Sequence, residues 1–162
     1  MADAMEQLYQ QVILDHARAR HGAGELEPFD AESFQVNPTC GDEVRLRVAV
    51  EHTVAGPRIT GVGWVGQGCS ISQASLSVLT DLVTGTDVAT AERVGESFRE
   101  LMRKRGAELD PERQDSLGDA TAFTGVARYS ARVKCALLGW MALRDALIHA
   151  LTAEPSTQEE NS

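Results

Sequence analysis

Apolar and polar positions along the chain follow two periods, helical in the opening segment and again after Cys69, alternating between the two. Residues 3–20 place Met5, Leu8, Val12, Ile13 and Ala17 at helical spacing, which predicts an opening helix. The stretch RHGAGELEPFD that follows reads as a loop. In EVRLRVAVE, residues 43–51, Val44, Leu46, Val48 and Val50 face one way and the charged residues and Ala49 the other. That alternation predicts a half-buried strand. The turn residues AGP at 55–57 lead into a second strand over about 58–65, and the residues before Cys40 predict a short third one.

A helix is expected just after Cys69. Ser70-Ile71-Ser72-Gln73 fits a capping box, and Ile71, Ala74, Val78, Leu79, Leu82 and Val83 form its apolar stripe. Val94, Phe98, Leu101 and Met102 mark a further amphipathic helix over about 88–104. The turn-rich GAELDPERQDSLGDATAFTG interrupts before a last helix over about 126–151, carrying Val133, Leu137, Trp140, Met141, Leu147 and Ile148. This organisation predicts one domain over residues 1–151 and a disordered tail over 152–162, without an internal repeat.

The chain's 162 residues suffice for one domain with its own core, and 43% apolar content is that of an ordinary globular protein. No run approaches the roughly 20 apolar residues of a membrane span. The polar, acidic start MADAMEQLYQ does not read as a signal or transit peptide, so a cytoplasmic location is expected. A formal charge of -9 argues against nucleic acid or an anionic membrane as partner, because both require a basic face.

Three cysteines in such a compartment are not a disulfide framework. Cys40 and Asp42 flank Gly41 in NPTCGDEV, so that both donors can reach one ion, although the triplet alone also reads as a plain turn. Cys69 follows VGQG immediately before a helix, where backbone N–H groups and the helix dipole favour a thiolate. Gly66 and Gly68 let a ligand or a second backbone come close. Cys135 lies early in the last helix between Arg132, Lys134 and an apolar run. Each cysteine alone is equally a small buried hydrophobe. Together, three sulfurs and one carboxylate suit tetrahedral zinc, with iron–sulfur chemistry the other outcome that thiolates favour. His16, His21, His52 and His149 are scattered and none neighbours a cysteine; there is no Walker loop and no GxGxxG between strand and helix.

In this order, NPTCGDEVRLRV, GQGCSISQASLSVLTDLVTG and GVARYSARVKCALLGWMALRDAL resemble the IscU/NifU-like superfamily, specifically its SufU branch. LYQQVILDHARAR is similar to that branch's opening helix, so the resemblance spans about residues 6–151. The IscU scaffold carries a histidine directly before its third cysteine, whereas this chain has Lys134; the segment from about 87 to 115 looks like the SufU insertion. HARARHGAG departs from the Pro-Asn pair that often follows the first helix in the family. The resemblance implies an α+β fold, a small antiparallel three-stranded sheet packed against about five helices. It implies Zn2+ held by Cys40, Asp42, Cys69 and Cys135. It further implies that Cys40 accepts persulfide sulfur from a SufS-type PLP-dependent cysteine desulfurase, with Arg132 matching a family arginine near the site. Downstream SUF assembly proteins would be further partners. The alternative is an iron–sulfur cluster scaffold using the same cysteines.

Overall fold

A computed structural model describes residues 4–39 and 41–152; Cys40 and the expected tail beyond Thr152 lie outside the described residues. The chain runs α1 (Ala4–Ala19), β1 (Ala31–Asn37), β2 (Asp42–Thr53), β3 (Gly56–Gln67), α2 (Ser70–Val83), α3 (Val88–Arg103), α4 (Pro111–Leu117), a 3-10 segment (Gly118–Arg128) and α5 (Ser130–Thr152). The α+β class is therefore borne out, with an antiparallel sheet in the order β1-β2-β3.

The alternation read in β2 sets the two faces of the sheet. Val44, Leu46 and Val48 are fully buried, and across the register Leu46 faces Trp64 while Val48 faces Val62. On the other face Phe34, Arg45 and Val65 form one solvent-exposed row, with the Arg45 guanidinium 5.8 Å from the Phe34 ring centre. The pairing shifts after Ala49: Ala49 pairs with Gly61 but Val50 with Ile59, leaving Thr60 as the extra residue of a bulge. The Thr60 hydroxyl donates to the Ala49 carbonyl across it. Both strands extend further than their apolar alternation, because backbone pairing continues into the polar ends.

The loop after α1 closes the outer edge of β3. Trp64 N–H donates to Gly22 O at 3.0 Å, Gly24 N–H donates to Trp64 O at 2.8 Å, and the indole N–H donates to His21 O at 2.8 Å. An open edge, which would otherwise offer unpaired backbone groups, is covered this way. Gly22 has φ +83°, and a Cβ there would sit 2.6 Å from Thr80 Oγ1, so glycine is required on both counts.

The helices lie against the buried face of the sheet. α5 packs on β1 and β2, and α2 lies between α1 and α5. The stripe read in α3 is buried, with Phe98 stacked on Trp140 of α5 at 4.9 Å between ring centres. Covered by the sheet on one side and helices on the other, α5 is apolar over most of its surface. It is consequently long and apolar enough to cross a membrane by composition alone, contrary to the sequence reading, yet half of that stretch is buried inside this domain. Met141 and Ile148, read as part of its apolar face, are exposed.

Two segments differ from expectation. The turn-rich stretch after residue 105 contains α4 and the 3-10 segment, whose Leu117, Ala120, Ala122 and Phe123 are buried in the core. Gly, Asp and Pro punctuate this stretch, but core burial holds it in helical turns. The same 3-10 winding, followed by extended Tyr129 at φ -119°, delays the start of α5 from about 126 to Ser130.

Candidate metal centre

The site forms where the β1–β2 turn, the β3–α2 turn and the start of α5 meet. Gly41 N–H donates to Asn37 O at 2.8 Å and Thr39 N–H to Asn37 Oδ1 at 3.2 Å, which folds the β1–β2 connection tightly. Gly41 takes φ +79°, a left-handed conformation that favours glycine. Asp42 then opens β2 opposite Asn37, with its side chain buried at 3% exposure.

Asp42 reaches the next segment directly. Its Oδ1 accepts a hydrogen bond from the Cys69 backbone N–H at 3.2 Å, and Cys69 Sγ lies 3.7 Å from its Oδ2. Cys69, rather than Ser70, is the N-cap of α2, and its side chain makes no capping bond to the helix. The expected capping box is therefore corrected. In that motif a residue three positions into the helix bonds back to the cap's N–H; here Asp42 takes that role from another strand. Ser72 is buried and its hydroxyl donates to the Cys69 carbonyl at 3.1 Å, fixing the peptide group on the other side of Cys69.

Both glycines flagged in the sequence have a packing reason. A Cβ on Gly66 would lie 2.3 Å from the Glu43 carbonyl oxygen, so this residue admits the β2 backbone. A Cβ on Gly68 would lie 2.7 Å from Asp42 Oδ1 and 2.5 Å from Ser72 Oγ, so Gly68 admits the carboxylate itself.

Cys135, 4% exposed, projects from the second turn of α5, its Sγ 3.7 Å from Ala131 O. One carboxylate oxygen of Asp42 and the sulfurs of Cys69 and Cys135 lie within 4.8 Å of one another. Cys40, the fourth expected donor, is outside the described residues. Among the described residues Asp42 forms no ion pair, although a buried carboxylate is costly without a cation. A buried carboxylate beside two thiols fits a thiophilic divalent cation such as zinc.

Arg132 and Lys134 are exposed at the start of α5. Arg132 borders a groove of about 790 Å³ that also takes in Met5, Tyr9, Ile71, Tyr129 and Ser70, the residue after Cys69. Arg132 thus stands beside the site rather than inside its donor cluster.

A second gathering of donors escaped the sequence reading. His16 and His21, scattered in sequence, meet edge to face with ring centres 5.5 Å apart. The only sequence signal for them is their spacing across the end of α1, which carries no chemistry by itself.

Comparison with known proteins agrees with this architecture. Residues 8–136 match the model of the NifU-like N-terminal domain, and the chain belongs to that family. It is 37% identical over 139 residues to the zinc-dependent sulfurtransferase SufU of Bacillus subtilis, covering 86% of this chain and 88% of that protein. It is 32% identical over 155 residues to the iron–sulfur cluster assembly scaffold protein IscU of Streptococcus pyogenes serotype M1, covering 96% and 92%. Among solved structures, a proposed SUF-system scaffold protein from Fervidobacterium islandicum AW-1 superposes with a TM-score of 0.75 at 31% identity, covering 88% of this chain and 98% of that one. The resemblance to SufU-type proteins of the IscU/NifU-like superfamily is borne out.

Proposed function

We propose that this protein serves iron–sulfur cluster assembly as a zinc-dependent sulfur acceptor, taking persulfide sulfur from a SufS-type, PLP-dependent cysteine desulfurase in the cytoplasm. The observation that carries the reading is the convergence of the Asp42 carboxylate with the Cys69 and Cys135 sulfurs at one corner of the domain. The name of the 37% identical Bacillus subtilis relative supports it. So does Lys134, which stands where the IscU-type scaffold has a histidine.

Cys40, Asp42, Cys69 and Cys135 would hold the ion. Zinc when bound keeps thiols deprotonated at neutral pH and adds no redox chemistry of its own. The chain's own residues supply the rest. Asp42 positions Cys69 through the backbone hydrogen bond, and the Cys69 and Cys135 helices keep both sulfurs in place. In the transfer, the Cys40 thiolate attacks the outer sulfur of the desulfurase persulfide. A new S–S bond forms on Cys40, the donor's S–S bond breaks, and the donor cysteine leaves as its thiolate. The exchange is redox-neutral and needs no further reagent. Arg132, at the rim, would attract the anionic persulfide.

The scaffold reading has its own support in the relatives named as scaffolds. Zinc and iron analysis of the untagged protein, paired with sulfide release by a PLP-dependent cysteine desulfurase, separates the two. About one zinc per chain with stimulated turnover is expected. Stoichiometric iron with acid-labile sulfide would establish the scaffold reading instead.

A further inference from the structure

We infer that His16, His21 and Asp81 form a second divalent-metal site, separate from the cysteine corner, which takes a first-row transition ion of zinc type. One ligand atom from each of the three residues lies within 4.8 Å of the others, which one ion can bridge after small side-chain rotations. The donors are two imidazoles and a carboxylate. That set suits zinc, nickel, cobalt or copper, whereas calcium and magnesium take oxygen ligands.

The surroundings of the imidazoles match those of metal-binding histidines. His16 Nε2 lies 2.9 Å from Asp119 Oδ2, and a carboxylate behind the ring is the usual device for orienting a ligating histidine. With Nε2–H donated to Asp119, the lone pair falls on Nδ1. That nitrogen faces Ser77 Oγ at 2.8 Å, and the same hydroxyl oxygen accepts the His21 backbone N–H at 3.0 Å. The available nitrogen of His16 therefore points to the side on which His21 is anchored. His21 Nδ1 already lies 2.8 Å from Asp81 Oδ2, so the ion would take the place of that contact and of the Ser77 hydroxyl.

The site is also anchored at its backbone and reachable. His21 is fixed through its N–H on Ser77 and its carbonyl on the Trp64 indole, and Gly22 behind it is packed against Thr80. His16 is buried, while the side chains of His21 and Asp81 are each about half exposed at 48% and 49%. A rigid buried ligand with two accessible ones leaves room for an ion to enter and for water to complete its shell. Hydrogen bonding that merely pins α1 to α2 would use the same contacts, so the test must read the ion.

Purified protein holding its cysteine-site metal, titrated with Zn2+ under equilibrium dialysis, should take up one further equivalent per chain. NMR of the imidazoles should show His16 and His21 shifting while His52 and His149 do not. His21→Ala, at a half-exposed position, should lose the second equivalent and keep the first. Asp119→Asn should weaken the second site about 10- to 100-fold by disorienting His16. No second equivalent in the wild type, its retention in His21→Ala, or shifts confined to His52 and His149 would overturn the assignment. Because none of these residues belongs to the cysteine corner, loss of the first equivalent alone would instead count against the proposed function.

Discussion

The Asp42 carboxylate accepts the Cys69 backbone N–H at 3.2 Å, joining the first residue of β2 to the N-cap of α2 across 27 positions of sequence. One side chain therefore caps a helix and, in the proposed function, would also offer an oxygen to the metal. The two roles separate by mutation. Asp42→Asn keeps an oxygen acceptor for Cys69 but loses the anion, so zinc content should fall while the thermal midpoint of the metal-free protein is retained. Asp42→Ala loses both and should cost a further ~1–2 kcal/mol in the metal-free protein while leaving it folded. Metal analysis and thermal melts of the two variants check this, and equal zinc in wild type and Asp42→Ala would remove Asp42 from the donor set.

Gly68 should be as sensitive as a ligand although it carries none. A methyl group there would lie 2.7 Å from Asp42 Oδ1, forcing the carboxylate away or the α2 start outward. Gly68→Ala is expected to lower stability by ~1–3 kcal/mol and to reduce zinc retention. Gly125→Ala is the control, since a Cβ at Gly125 meets nothing within 4 Å. Matching zinc retention in the two variants would show that the close approach at Gly68 is unimportant.

If zinc is held as proposed, removing it should loosen the whole domain, because the candidate ligands come from β2, the start of α2 and α5. An ion bound at about a thousandfold excess over its Kd contributes about 4 kcal/mol, or about 10 °C in a domain of this size. Calorimetry before and after chelation measures the difference. An unchanged midpoint would mean that the donor set does not tie these segments together.

Cys40 is the expected sulfur carrier. Cys69 is held as a helix cap with both neighbouring peptide groups hydrogen-bonded, and Cys135 is buried within α5. The backbones of both are set by their helices, whereas Cys40 precedes a glycine between two strands. After incubation with a PLP-dependent cysteine desulfurase and cysteine, then alkylation, peptide mass mapping should place the added sulfur on Cys40. The signal should vanish in Cys40→Ser. A persulfide mainly on Cys69 or Cys135 would refute the assignment.

Arg132 should affect capture rather than metal. It borders the groove beside Ser70 and is not among the described donors. Arg132→Ala is expected to lower sulfur uptake severalfold at unchanged zinc content, most visibly at low ionic strength, where a single exposed charge is least screened. A parallel loss of zinc would make the residue structural instead.

The sequence by itself determined what lies within single elements. The alternation from Val44 to Val48 specified the buried face of β2, the stripe of Val94, Phe98, Leu101 and Met102 specified that of α3, and both are buried as read. Cysteine motifs in order, with Gly66 and Gly68, carried the family and the donor types. Only the tertiary structure decided which groups meet. Asp42 caps a helix 27 residues away, His16 reaches Asp119 across 103 residues, and no local period encodes either contact. The turn-rich segment after residue 105 became helical for the same reason. Leu117 and Phe123 are fully buried against other elements, and that long-range burial outweighs a composition which locally favours turns.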